Sequence, residues 1–126
     1  MKTLFITIPI EPIPKQSFKK GYYDDPEIKR FYKRLKGNRE TIAIYCRMKY
    51  KGEPYKGYIF FKRLHFFMSN IEKSDWDNLI KQVGDSIEGI LVENDKMILG
   101  GNVRKFQDKE KPRIEMEIEF LYSNCD

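Results

Sequence analysis

Two periodicities divide the chain. Near the start, TLFITIPI is rich in β-branched and aromatic residues and reads as a strand. Near the end, Ile114, Met116, Ile118 and Phe120 alternate with Glu115, Glu117 and Glu119, which predicts a half-buried strand over 112–122. A shorter strand is predicted over 100–106, and the aromatic run YKGYIFFKRLHFFMS reads as a strand with pairing partners on both sides. Helical spacing takes over between them. Ile28, Phe31, Tyr32, Leu35, Ile42, Tyr45 and Met48 keep helical spacing, with Asp24 or Asp25 as cap and Pro26 at the first position. Gly37-Asn38 marks a break or kink, and KGEP ends the segment. Leu79, Ile80, Val83, Ile87 and Ile90 form the stripe of a second helix over 77–90. EPIPKQSFKKGYYDDP, between the first strand and the first helix, reads as an irregular loop. The expected order is β-α-β-α-β-β. This is an α/β or α+β arrangement, a mixed sheet packed with two main helices, in one domain over 1–126.

Composition narrows the class. The 126 residues suit one compact domain, and 40% hydrophobic with 14% aromatic residues is globular rather than disordered. The longest uncharged apolar run, Tyr58-Ile59-Phe60-Phe61, is far too short to span a membrane. The opening MKTLFITIPIEPIPK has no small-residue cleavage site and is interrupted by Glu11, so it is expected to be a strand and not a signal peptide. Cys46 and Cys125 are isolated, and there is one histidine. Neither a disulfide framework nor a zinc site is expected, and the cytoplasm is the natural compartment.

Charge adds more. Residues 1–63 carry 16 Lys/Arg against 6 Asp/Glu, a net +10, whereas residues 64–126 carry 8 against 13, a net −5. A basic half beside an acidic half suggests a polyanion-binding surface next to a cluster of carboxylates. Lys15, Lys19, Lys20, Lys29, Arg30, Lys33 and Arg34, with Lys73 further on, are the candidate phosphate contacts. Phe18, Tyr22 and Tyr23 stand beside them and suit either base stacking or packing.

The chemistry centres on SDWDNLIK, 74–81. In extended backbone Asp75 and Asp77 share a side and Trp76 points the other way, into the core. Asp77 or Asn78 then caps the helix, along which Asp77, Lys81, Asp85 and Glu88 fall near one solvent-facing side. Two close carboxylates are costly without a compensating cation, and Mg²⁺ takes such oxygen ligands together with substrate phosphate and water. Asp95, in the polar turn VENDKMI, completes a three-carboxylate set if the chain folds back. Such a set holds one or two ions that activate water for in-line phosphoryl displacement, with Lys81 at the developing charge. Plainer readings exist for each residue: Asp77 as a helix cap, Lys81 as an i,i+4 partner of Asp77 and Asp85, Asp95 as a turn former. An EF-hand is excluded, because the loop glycine and terminal glutamate are missing at the required spacing.

The stretch KSDWDNLIKQVGDSIEGILVENDKMI, 73–98, resembles the signature of the RusA family of Holliday-junction resolvases, at Asp75, Asp77, Asn78, Leu79, Lys81, Asp85, Gly89, Asp95 and Ile98. The upstream PIPKQSFKK resembles that family's early Pro-Lys-rich segment. The resemblance implies a bacterial or phage-encoded homodimer that cuts four-way DNA junctions by paired nicks with Mg²⁺, for which Mn²⁺ can substitute. It implies Asp75, Asp77 and Asp95 as metal ligands and catalytic residues, with Lys81 as the catalytic lysine. Ser74 stands where the family has proline, Asn94 where it has the first of two aspartates, and Ser86-Ile87 where it has Ala-Leu. Asp85 matches a family position without an assigned chemical role. Two rival functions stay open: a broader phage-type flap or fork nuclease, and a non-catalytic DNA-binding module.

Overall fold

The computed structural model describes residues 3–16 and 24–123. Lys19, Lys20, Phe18, Tyr22 and Tyr23 lie outside the described residues. The elements are β1 (Thr3–Ile8), α1 (Pro26–Lys49), β2 (Gly57–Met68), α2 (Trp76–Ile87), β3 (Ile98–Gln107) and β4 (Arg113–Ser123), with short 3₁₀ turns at Ile71–Lys73 and Asp95–Met97. The order is the β-α-β-α-β-β expected from the periodicities.

The four strands form one sheet in the order β1-β4-β2-β3. β1 and β2 both run antiparallel to β4, and β3 runs parallel to β2, so the sheet is mixed. A parallel pair needs a crossover, which α2 supplies. Consequently α2 runs back against β2 and β3: its first turn lies by the end of β3 and its last turn by the start. β2 has a partner on each side, as its apolar length predicts, whereas β3 is an edge strand.

The glutamate alternation in β4 holds. Ile114, Met116, Ile118 and Phe120 are buried while Glu115, Glu117 and Glu119 stay partly exposed. They join Ile6, Ile8, Ile59, Leu64 and Phe66 from the sheet, Leu79, Val83 and Ile87 from α2, and Ile42 and Cys46 from α1 in one core. Burial pushes the Cys46 thiol up to about 12, so it packs as a small apolar group and not as a nucleophile.

Four expectations need correction. α1 runs unbroken through Gly37-Asn38. Asn38 is buried there, and its amide donates to the Glu11 carbonyl at 2.9 Å while its oxygen accepts from Gln82 at 3.2 Å. A polar residue read as a helix breaker is in fact an interior tie. Met48, assigned to the apolar stripe, is exposed, because the buried line of α1 runs through Leu35, Asn38, Ile42 and Cys46 and Met48 lies across the helix from it. α2 covers 76–87 rather than 77–90. It ends where Gly89 takes φ +81°, a left-handed conformation suited to glycine, and Ile90 falls in the turn beyond. Trp76 is 58% exposed and not in the core. It stands at the first position of α2, beside Gly101, Val103, Arg104 and Lys105, and no strand lies outside β3 to cover it.

Candidate active site

The site begins with a turn between β2 and α2 that is held from below. Lys105, on the helix-facing side of β3, donates from Nζ to the carbonyls of Ile71 at 2.6 Å and Ser74 at 2.7 Å. Gln107 donates to the Ser69 carbonyl at 2.6 Å and accepts from the Ile71 N–H at 3.1 Å. Asn70 caps the 3₁₀ turn by accepting from the Glu72 N–H at 2.9 Å. Five backbone groups that would otherwise lack partners are satisfied in this way, so the chain enters α2 from a fixed direction. Sequence reading missed Lys105 and Gln107. Their only signal was period-two placement on β3, which cannot reveal what a side chain reaches.

Asp75 is the N-cap of α2, with φ −75° and ψ 140°, yet its carboxylate makes no capping hydrogen bond. The cap is therefore Asp75 rather than Asp77 or Asn78. The two carboxylates are related by helix-terminus geometry, N-cap and second helical position, rather than by strand alternation. Both are exposed, and neither takes part in a side-chain hydrogen bond or ion pair with the described residues. The positive end of the α2 dipole favours negative charge there. Lys81 lies one turn further along, exposed, and forms no ion pair with Asp77 or Asp85. The reading of Lys81 as a simple i,i+4 partner of those two is not what the structure has. Asp85 is taken instead by Lys15 Nζ at 2.6 Å. That pair, with the Lys15 N–H donating to the Asn78 carbonyl at 2.9 Å, ties the loop after β1 to α2. Asp85 thus has a structural role, and Lys15, a candidate phosphate contact, has a local carboxylate partner.

Asp95 lies elsewhere. It opens the 3₁₀ turn after α2, capped by Asn94, whose Oδ1 accepts from the Lys96 N–H at 3.0 Å. The Asp95 N–H donates to Glu88 Oε2 at 2.9 Å, and Glu88 follows the last turn of α2. The 12 residues of α2 span about 18 Å at 1.5 Å per residue, so Asp95 stands near the opposite end of the helix from Asp75 and Asp77. Among the described residues no three Asp, Glu, His or Cys side chains are grouped so as to hold one metal ion. What one chain offers is a pair of hard, uncommitted oxygen donors. That pair fits a Mg²⁺-type ion that keeps several waters and borrows substrate phosphate, and does not fit an all-protein cage.

Lys29, Arg30, Lys33 and Arg34 are exposed on α1, and Lys73 is exposed in the turn before Asp75. Arg34 and Lys73 line the same pocket. No described helix is long and apolar enough to cross a membrane.

An α+β layer that presents two free carboxylates and a lysine at a helix N-terminus, beside a cationic face, belongs with metal-assisted enzymes that act on phosphodiesters. The family model Endodeoxyribonuclease RusA matches residues 9–119, most of the chain, and the chain belongs to that family. It is an endodeoxyribonuclease, a hydrolase of DNA phosphodiester bonds, in a family of divalent-metal-dependent Holliday-junction endonucleases whose substrate is branched DNA. No match was found among curated proteins.

Proposed function

We propose that this protein resolves four-way DNA junctions by paired nicks, as a homodimer, with Mg²⁺ held by Asp75, Asp77 and Asp95 and with Mn²⁺ able to replace it. The observation that carries the reading is the pair of exposed, uncommitted carboxylates at the α2 N-terminus. When bound, the ion supplies Lewis-acid activation of water and neutralises charge at the scissile phosphate. Asp75 and Asp77 hold and orient it from the helix N-terminus. Lys81, one turn away on the solvent side, steadies charge on the phosphate oxygens as a point-like ammonium. Lys29, Arg30, Lys33, Arg34 and Lys73 hold the DNA backbone without reading sequence.

Asp95 gives the homodimer a chemical purpose. Within one chain it stands at the wrong end of α2 for Asp75. β3 is an edge strand, the one beside α2's crossover, and it runs from the Asp95 end to the Asp75 end. A two-fold axis beside β3 pairs it antiparallel with the partner's β3. That operation brings each Asp95 to the Asp75–Asp77 end of the other subunit. The same pairing shelters Trp76 and Leu99, which are 58% and 52% exposed along this edge, and it removes an open strand edge. A dimer of this kind carries two sites related by a two-fold, as a four-way junction requires for nicks in opposing strands.

Four-way, flap and linear duplex substrates compared in Mg²⁺, Mn²⁺ and EDTA test the reading. Symmetric nicks confined to the four-way junction, and lost in EDTA, are expected. Equal cutting of flaps would move the assignment to a general branched-DNA nuclease.

A further inference from the structure

Beside the aspartate pair lies a pocket of about 330 Å³ lined by the loop after β1, one face of α1 and the turn before α2. We propose that it receives a single unstacked nucleotide of the branched DNA, with the phosphate at Arg34 and Lys73 and the base against Phe31 and the prolines. The inference rests on the junction-nuclease reading and adds to it a substrate subsite that phosphate contacts alone do not provide.

Three observations carry it. The first is the chemistry of the lining. Phe31, Pro12, Ile13 and Pro14 give apolar faces, Arg34 and Lys73 give two cations, and Gln16 and Asn70 give amides. An aromatic ring and a cation pair around one volume match a nucleotide, which has a flat apolar base and a charged phosphate. The volume is at the lower end of small-ligand sites and admits one nucleotide rather than a duplex.

The second observation is that the pocket is built in advance. Glu11 accepts from the Ser69 N–H at 3.1 Å and from the Ser69 hydroxyl, which ties the loop to the end of β2. Its carbonyl accepts from buried Asn38, which in turn accepts from buried Gln82, and Gln82 also donates to the Leu35 carbonyl at 2.9 Å. Lys15 anchors the far end of the loop to Asn78 and Asp85. Six side chains, from the loop itself, the end of β2, α1 and α2, hold the wall of an otherwise irregular Pro-rich loop. None of these ties is needed for the aspartates to face solvent.

The third observation is continuity. Ser74 belongs both to the pocket wall and to the turn clamped by Lys105, and Asp75 is the next residue. A nucleotide seated in the pocket therefore lies one residue along the chain from the first carboxylate, so its own strand passes the aspartate pair. Drawing one nucleotide aside costs least where stacking is already broken, which is the condition at a branch point.

The test uses four-way junctions with 2-aminopurine at each crossover position in turn, in EDTA so that the DNA stays intact, with saturation followed by gel shift. With the wild-type protein, emission is expected to rise several-fold at one crossover position. Gln16→Trp, which fills an exposed part of the pocket, is expected to abolish that rise at saturation, and Arg34→Ala to reduce it by at least half. An equal rise with Gln16→Trp, or no rise at any position on a saturated junction, overturns the pocket while leaving the nuclease reading in place. Failure of the wild-type protein to bind any branched DNA overturns both.

Discussion

The two ends of α2 are both acidic and behave oppositely. At the C-terminal end Glu88 is committed: its carboxylate accepts from the Asp95 N–H and fixes the 3₁₀ turn that starts β3. At the N-terminal end Asp75 holds the capping position without making the capping bond, and Asp77 likewise has no partner among the described residues. A helix N-terminus ordinarily spends such a carboxylate on its own free N–H groups. Here neither carboxylate is spent on those donors, and two acceptors stay open toward solvent. The difference teaches that the carboxylates proposed to act are distinguished by what they do not bond within the chain. Acidic residues stand at both ends, so acidity alone does not separate them.

The largest expected effect breaks this comparison at the N-terminal end. Asp75→Asn or Asp77→Asn is expected to lower single-turnover junction cleavage by at least about 10³-fold, with binding intact or tighter because repulsion of phosphate falls. Near-normal cutting by either variant in Mg²⁺ removes the site. Glu88→Gln, the matched change at the other end, is expected to change the rate only a few-fold.

Next is the test of which chain supplies Asp95. Asp75→Asn and Asp95→Asn proteins are each expected to be inactive. Unfolded together and refolded, they are expected to recover roughly a quarter of wild-type nicking. Half the dimers are then mixed, and each mixed dimer has one intact site if Asp95 acts across the two-fold. No recovery would assign Asp95 to its own chain. Lys81→Ala is expected to slow cleavage by about 10²-fold with a much smaller loss of affinity. An affinity loss as large as the rate loss would reduce Lys81 to a backbone contact.

The smaller effects concern the scaffold that separates the two ends. Asn38→Ala leaves the Glu11 carbonyl and the Gln82 amide short of partners and is expected to cost about 1–3 kcal/mol in urea unfolding. Glu88→Gln weakens the charge-assisted bond to Asp95 and is expected to lower the thermal midpoint by only about 2–5 °C. A larger drop would show that the C-terminal turn, and with it the start of β3, depends on that carboxylate.

Much of this was legible in the chain. Alternation in 112–122, the aromatic run before Ser69 and the apolar spacing of both helices give the elements, because burial on one face imposes period two on a strand and about 3.6 on a helix. A cap at Asp24 or Asp25 ahead of Pro26 was legible for the same local reason, and Asp25 takes it: its Oδ1 accepts from the Glu27 N–H at 2.8 Å. SDWDNLIK marked the carboxylates and the lysine. Trp76, Asn38, Lys105 and the Lys15–Asp85 pair were not legible. In each case the outcome depends on what another element brings to that point, such as an edge strand with nothing beyond it, a loop crossing a helix, or a strand reaching under a turn.

The sequence by itself determined which segments are helix and strand and which side chains can serve a divalent ion and a phosphodiester, since both follow from local periodicity and functional-group chemistry. Tertiary structure alone decided that β3 lies at the sheet edge, that Asp95 lies near the opposite end of α2, a helix about 18 Å long, from Asp75, and that a Pro-rich loop walls a pocket. The physical reason is that distances between segments are set by how rigid elements pack over one shared core, and no spacing along the chain encodes them.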